Sequence, residues 1–376
     1  MKKLIIAAAF LAMSGAVAQA QTLKQAVTSK FLLGAAVNTD VVWERDARAA
    51  QLVKDNFNSI VAENCMKGEI IHPEEHRYFW DDADRTVKFG QDNGMAVIGH
   101  CLVWHSQAPK WMFTDSLGKP VTREVLIDRM YHHITDVMTR YKGKVKGWDV
   151  INEAIEEDGS YRHTPYLDII GPDYFVLAFK FAHAADPNAE LYYNDYWLAS
   201  PKKREGVVKL IRMLKANGCR IDAIGMQSHN GMDYPDLTEY EKSIQAFIAE
   251  GVKVQFTELD LNVLPNPEGF HGASIEQNDL YKAKLDPYKN GMPKKAQKAF
   301  TDRYLSFFKL YLKYAPHVER VTFWGVYDKT SWLNDWPIVG RTNYPLFFDR
   351  NYQPKPVVKE VIKLFTQGDK NDKKAK

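Results

Sequence analysis

Two glutamates carry the case for chemistry in this chain of 376 residues. Glu153 stands in the run WDVINEA (148–154), and Glu258 stands far downstream in QFTELDL (255–261). Most glutamates are surface groups, but these two interrupt apolar, β-branched and aromatic stretches, where a charge is costly unless it is used. One carboxyl able to give a proton, beside a second carboxylate able to attack or to act as a base, is what cleavage of a glycosidic bond needs. A third stretch, VTFWGVYDKTSW (321–332), ends with Trp324 and Trp332 on either side of a polar Asp-Lys-Thr-Ser segment. That pattern reads as the wall of an opening. The isolated Trp43, Trp80, Trp111 and Trp148 read as core.

Other chemistries find no support. His132 and His133 are neighbours on a helix and cannot face one metal ion. There is no HExxH, no phosphate-binding glycine loop and no GxSxG elbow, so neither metal nor cofactor is expected. Formal charge is only +3, with Lys2 and Lys3 supplying two of the positive charges, which gives no electrostatic case for nucleic acid. The basic clusters 202–204 and 294–295 read as helix surfaces.

Positioning two distant carboxylates requires a particular scaffold. Strand-like runs occupy 31–37, 58–64, 95–104, 144–153, 190–195, 220–229, 252–260 and 320–326, and helical patterns alternate with them. One helix is expected over 73–91, with Phe79, Ala83 and Val87 on its inner face and Gly94 as its stop. Another starts after Thr122 and carries the stripe Leu126, Met130, Ile134, Val137, Tyr141. Ser200 and Pro201 open a third, and Thr238 with Glu241 has the spacing of a capping box. The helix from Pro293 presents Phe300, Tyr304, Phe307 and Tyr311. Residues 356–365 form the closing helix, and the charged tail beyond is expected to fray.

Eight alternations without a linker point to an α/β protein with a single (β/α)8 TIM barrel over 21–376. An open doubly wound sheet is the main competitor. It would gather polar residues at one crossover point, whereas here they recur at the ends of strands 2, 3, 4, 6, 7 and 8. The stretch 265–293 is too long for an ordinary connection and is expected to face the site. Residues 1–20 read as a signal peptide, with a basic start, a short apolar run and Ala18-Gln19-Ala20 before the cut after Ala20. A secreted or periplasmic protein, unattached to membrane, follows from that. Cys65 and Cys101 lie near the tips of neighbouring strands, so a disulfide is open to them; packing as small hydrophobes is the commoner fate.

Seven stretches, in order, give a family likeness: ENCMKGE (63–69), GHCLVWHSQAPKW (99–111), WDVINEA, YYNDY (192–196), GMQSH (225–229), TELDL (257–261) and TFWGVYDKTSW (322–332). Together they resemble the glycoside hydrolase family 10 endo-β-1,4-xylanases, across about residues 30–365. The resemblance implies Glu153 as acid/base and Glu258 as nucleophile, retention of anomeric configuration, and carboxylates about 5 to 5.5 Å apart. It further implies Asn152 on the sugar 2-OH, and His229 holding the nucleophile, oriented in turn by Asp260. Glu63, Asn64, Lys67, His100, Trp104, Gln107, Tyr196, Gln227, Trp324 and Trp332 would bind xylan or xylo-oligosaccharides, with Asn194 and Asp195 near the acid/base. A monomer is expected. Asp195 is equally open to capping the segment after it, and the acidic loop 156–158 reads as solvated. A glucan-cleaving barrel, an arabinoxylan specialist and a non-catalytic glycan binder are the alternatives.

Overall fold

The computed structural model describes residues 21–266 and 285–374. The leader expected at 1–20 and most of the long excursion lie outside the described residues. Among the described residues are nine parallel strands: β1 (Leu32–Val37), β2 (Ser59–Ala62), β3 (Ala96–Val103), β4 (Gly147–Asn152), β5 (Glu190–Asp195), β6 (Ala223–Met226), β7 (His229–Gly231), β8 (Lys253–Asn262) and β9 (Val318–Phe323). Each of β1 to β5 pairs with the next, and β8 pairs with β6 and β9, while β9 returns to β1. Eight strands therefore close on themselves. The short β7 is the far half of the expected sixth strand, which breaks at Gln227 and Ser228, where Ser228 adopts φ +65°. It pairs only with β8, bringing His229 opposite Asp260.

Two apolar layers hold this scaffold. The larger lies between strands and outer helices, as expected when parallel strands are covered on their outer faces. It includes the predicted stripes of Arg123–Arg140 and Lys294–Lys313, whose inner residues Met130, Ile134, Phe307 and Tyr311 are all buried. The smaller fills the barrel itself with Ala36, Val61, Ile98, Tyr192, Ala223 and Trp324. Two glycines make room for large neighbours. A Cβ on Gly99 would fall 2.0 Å from the Trp148 ring, and one on Gly225 would fall 2.3 Å from Asn194 Oδ1.

Several expectations need correction. The helix expected over 73–91 begins only at Asp81, preceded by the short helix Gly68–Ile71 and an irregular stretch. Asp81, Asp82 and Asp84 crowd its first turn, where carboxylates oppose the positive end of the helix dipole. Phe79 is consequently left outside the helix and exposed. Asp236, not Thr238, caps the helix Leu237–Ala249, accepting from the backbone N–H groups of Thr238 and Glu239. The closing helix continues through Lys374 instead of fraying after 365. Cys65, Cys101 and Cys219 are buried free thiols, so no disulfide forms among them. Among the core tryptophans, Trp148 is buried and Trp80 and Trp111 half-buried, but Trp43 is exposed.

Candidate active site

All the strands run the same way, so their C-terminal ends form one mouth, and the predicted site residues gather there. Glu153 follows the last residue of β4 in a left-handed conformation, φ +57°, with its N–H donating to Asn194 O of β5 at 2.9 Å. Such a conformation costs a non-glycine residue about 1 to 2 kcal/mol, and strain of this kind clusters at functional sites. Its Oε1 accepts from Gln227 Nε2 at 2.9 Å, and its Oε2 accepts from Trp104 Nε1 at 2.9 Å. Burial holds its carboxyl above the ordinary range, and the charges of Asp195 and Glu258 push it the same way.

Glu258 lies within β8 and is buried. Its Oε1 accepts from Asn194 Nδ2 at 2.7 Å, and its Oε2 faces His229 Nε2 at 3.1 Å. The other ring nitrogen of His229 lies 2.9 Å from Asp260 Oδ2, which also accepts from Trp332 Nε1 at 2.8 Å. Both imidazole nitrogens therefore donate to carboxylates. These partners outweigh burial and raise the His229 pKa to about 10. Burial alone would raise Glu258, but the bond from His229, the nearby His100, the charge of His229 and the bond from Asn194 bring it below the ordinary value.

The two glutamates are joined through amides. Asn152 Oδ1 accepts from Asn194 Nδ2 at 2.9 Å and from Gln227 Nε2 at 3.3 Å. The first of these donors also bonds Glu258 and the second Glu153. Asn194 lies beside Glu153 as expected, through its backbone carbonyl, and its side chain, in register with Asn152 across β4 and β5, reaches the opposite carboxylate as well.

A second cluster borders this network. Lys67 Nζ donates to Asn64 Oδ1 and Gln107 Oε1, both at 2.9 Å. It also lies over the rings of Trp104 and Trp324, 5.3 and 5.8 Å from their centroids. Glu63 is half-buried, and its carboxyl is raised by burial against the pull of Lys67. His100 is buried on β3, with Nδ1 tied to Asp149 Oδ2 at 2.9 Å and its ring edge-on to Trp324. Tyr196 accepts from Arg162 Nη2 at 2.6 Å. Beside His229, Asp260 and Trp332 opens a cavity of about 500 Å³, walled further by Trp197, Tyr234 and Trp336.

One ion pair escaped sequence reasoning. Lys203, placed with the surface cations, is fully buried and pairs with the equally buried Asp195 at 2.8 Å. Its Nζ also sits 3.7 Å from the Tyr196 ring centroid. Asp195 thus does more than cap a turn: it accepts from Tyr196 N at 2.8 Å and from the Tyr193 hydroxyl. A signal was available. Lys203 shares a helical stripe with the buried Val207, Leu210, Ile211 and Leu214. Glu157 and Asp158 of the acidic loop are exposed as expected, and Glu156 faces Arg162.

Comparison with known proteins agrees with this geometry. The family model described as glycosyl hydrolase family 10 matches residues 22–364. Endo-1,4-beta-xylanase A of Xylanibacter ruminicola is 65% identical over 351 residues, covering 93% of this chain and 95% of that protein. An endo-1,4-beta-xylanase of Geobacillus stearothermophilus is 38% identical, covering 91% of this chain and 98% of that protein. Among solved structures, a GH10 endoxylanase retrieved from sugarcane soil metagenome aligns with a TM-score of 0.87 at 42% identity, over 91% of this chain and 99% of that one. With nearly its whole length matched by model, relatives and structure alike, the chain belongs to glycosyl hydrolase family 10.

Proposed function

We infer that the protein is an endo-β-1,4-xylanase that opens internal bonds of xylan with retention of configuration, Glu258 acting as nucleophile and Glu153 as acid/base. The observation that carries the role assignment is the contrast in partners: a cationic histidine on Glu258, neutral donors and nearby negative charge at Glu153. A nucleophile must be ionised and a general acid protonated at the same pH, so opposite shifts of two carboxyls separate the roles. Glu258 attacks the anomeric carbon while Glu153 gives its proton to the departing glycosidic oxygen, leaving a glycosyl ester on Glu258. Glu153, now a carboxylate, takes a proton from water; that water attacks the same carbon and frees Glu258. Each Glu153 oxygen accepts one N–H, which leaves lone pairs for the proton in transit.

Lys67, Asn64, Glu63 and Gln107, walled by Trp104, Trp324 and Trp332, form the side of the cleft that holds the sugars to be cut off. This wall leaves little room for the hydroxymethyl group that glucose carries and xylose lacks. Turnover of xylan and of cellulose measured side by side, with the product anomer read by NMR at early times, tests the whole reading. Fast cleavage of xylan to a mixture of β-configured oligomers is expected. Initial α-products would sink the retaining assignment, and preference for cellulose would sink the substrate. We also propose that the leader directs export and that the mature enzyme acts as a monomer. N-terminal sequencing should begin at Gln21, and light scattering should give the mass of one chain.

A further inference from the structure

Of the eight large hydrophobic residues that are exposed among the described residues, three meet at one place: Trp43 at 42%, Phe79 at 53% and Ile70 at 38% exposure. Trp43 belongs to the connection after β1, and the other two to the connection after β2, so all three stand at the mouth end of the barrel. They line an open concavity of about 540 Å³ together with Glu69, Asp81 and Asp82. A loose apolar patch would leave its rings free. Here the Trp43 indole is anchored by its edge, Nε1 donating to Asp82 Oδ1 at 2.6 Å, with Arg45 and Arg85 lying 5.8 and 5.7 Å from its ring centroid. Arg77 lies 4.9 Å from the centroid of Phe79.

Hydrogen bonds tie the wall of the concavity to the cleft. Glu69, on its wall, accepts from Gln107 Nε2 at 3.3 Å and donates its backbone N–H to Gln107 O at 2.8 Å. Gln107 in turn accepts from Lys67 of the sugar-binding side. A path of polar groups therefore leads from the site outward to the tethered Trp43 and the neighbouring Phe79.

We propose that Trp43 and Phe79 form a carbohydrate platform at the outer end of the cleft, taking a pyranose ring of the xylan chain beyond those held by Glu63, Asn64 and Lys67. The proposal rests on the xylanase reading above. A pyranose offers an apolar C–H face to an aromatic ring and hydroxyls to the groups around it. Glu69, Asp81, Asp82 and Arg45 are placed to meet such hydroxyls. A protein partner would be better served by a broader apolar surface with fewer charges at its centre.

The test compares a long and a short substrate in Trp43→Ala, Phe79→Ala and the double variant. Loss of one ring should lower kcat/KM on xylohexaose about three- to tenfold, the range of a single aromatic contact. The aryl xylobioside, too short to reach the platform, should be turned over as by the wild type. Equal losses on both substrates, or none on either, overturn the proposal. Phe79 is more than half exposed, so Phe79→Ala remains informative if Trp43→Ala folds poorly. Absence of wild-type turnover of the xylobioside would refute the parent reading instead. The platform is then read from xylohexaose binding to Glu258→Ala, followed by tryptophan fluorescence, with and without Phe79→Ala. A dimer in sedimentation that Phe79→Ala dissolves would assign the patch to self-association and also overturn the proposal.

Discussion

At the end of β4, Glu153 receives one N–H from an amide and one from an indole, with the carboxylates of Asp195 and Glu258 close by. Across the mouth on β8, Glu258 receives an amide N–H and an imidazolium that is itself braced by Asp260. Glu258 is buried and Glu153 half-buried, and loss of water around them pushes both carboxyls upward. At Glu153 burial prevails, with Asp195 and Glu258 adding to it; at Glu258 the neighbours overcome burial and lower the carboxyl. Position in the barrel mouth thus supplies geometry, whereas the proposed roles follow from the residues on the adjoining strands, β7 for Glu258 and β5 for Glu153.

The contrast is broken most severely at Glu258, the proposed nucleophile. Glu258→Ala should reduce turnover of xylan and of activated aryl xylosides alike, by about 10⁵-fold or more, as loss of a covalent catalyst does. Glu153→Ala should cost xylan hydrolysis about 10²- to 10⁴-fold, the span of general acid–base catalysis. An aryl xyloside with a good leaving group should still form the glycosyl-enzyme in that variant. Added azide separates the two sites. It should restore Glu153→Ala with retention and Glu258→Ala with inversion, and the opposite pairing would exchange the roles.

Much of this was legible in the sequence, and what was not has identifiable causes. The alternation of strand and helix, both glutamates, and the His229–Asp260 pairing come from local motifs that keep their meaning wherever the chain folds. Lys203 was misplaced because three consecutive basic residues look like a solvated face, although the helical period puts one of them inward. Trp43 was read as core because an isolated tryptophan is worth burying; its indole is instead tethered to Asp82, from a helix whose start was expected eight residues too early. The reach of Asn194 to Glu258 depends on register between neighbouring strands, which no single stretch of sequence contains.

His229→Gln sharpens the comparison by removing the cation while keeping a donor. Activity needs Glu258 ionised, so it rises with pH through the Glu258 pKa. Without the imidazolium, burial dominates and the acid limb of kcat/KM should move to higher pH, with a loss of about 10²-fold at acid pH, comparable to removal of one preorganised electrostatic partner. Stability should respond with its own sign. The histidine pKa, raised from 6.5 to about 10, gives a contribution that is complete below the lower value and lost as pH climbs through the higher. The wild type should therefore lose its advantage in melting temperature over the variant as pH rises across that window. A constant difference would show that His229 is not the cation described.

The smallest effect on rate is expected one layer further out, at the pair beneath Glu153. As the proposed acid, Glu153 must be protonated to act, so activity should fall as pH rises through its pKa, and Asp195 helps to keep that pKa high. Asp195→Asn removes the repulsion and leaves Lys203 as an uncompensated positive charge. Both changes favour the ionised form of Glu153, so the alkaline limb should shift to lower pH while the plateau rate stays close to that of the wild type. Lys203→Met does the reverse, because Asp195 is then an unshielded neighbour, and the limb should move up. Each single variant breaks a buried ion pair and should cost about 3 to 5 kcal/mol, whereas the double variant should recover much of that loss because no lone charge remains. Opposite limb shifts in the singles, with restored stability in the double, would place Asp195 and Lys203 in the electrostatics of the acid/base. Limbs that stay put in both singles would reduce the pair to a strut holding β5 against its helix, and the contrast between the two glutamates would then rest on burial and Glu258 alone.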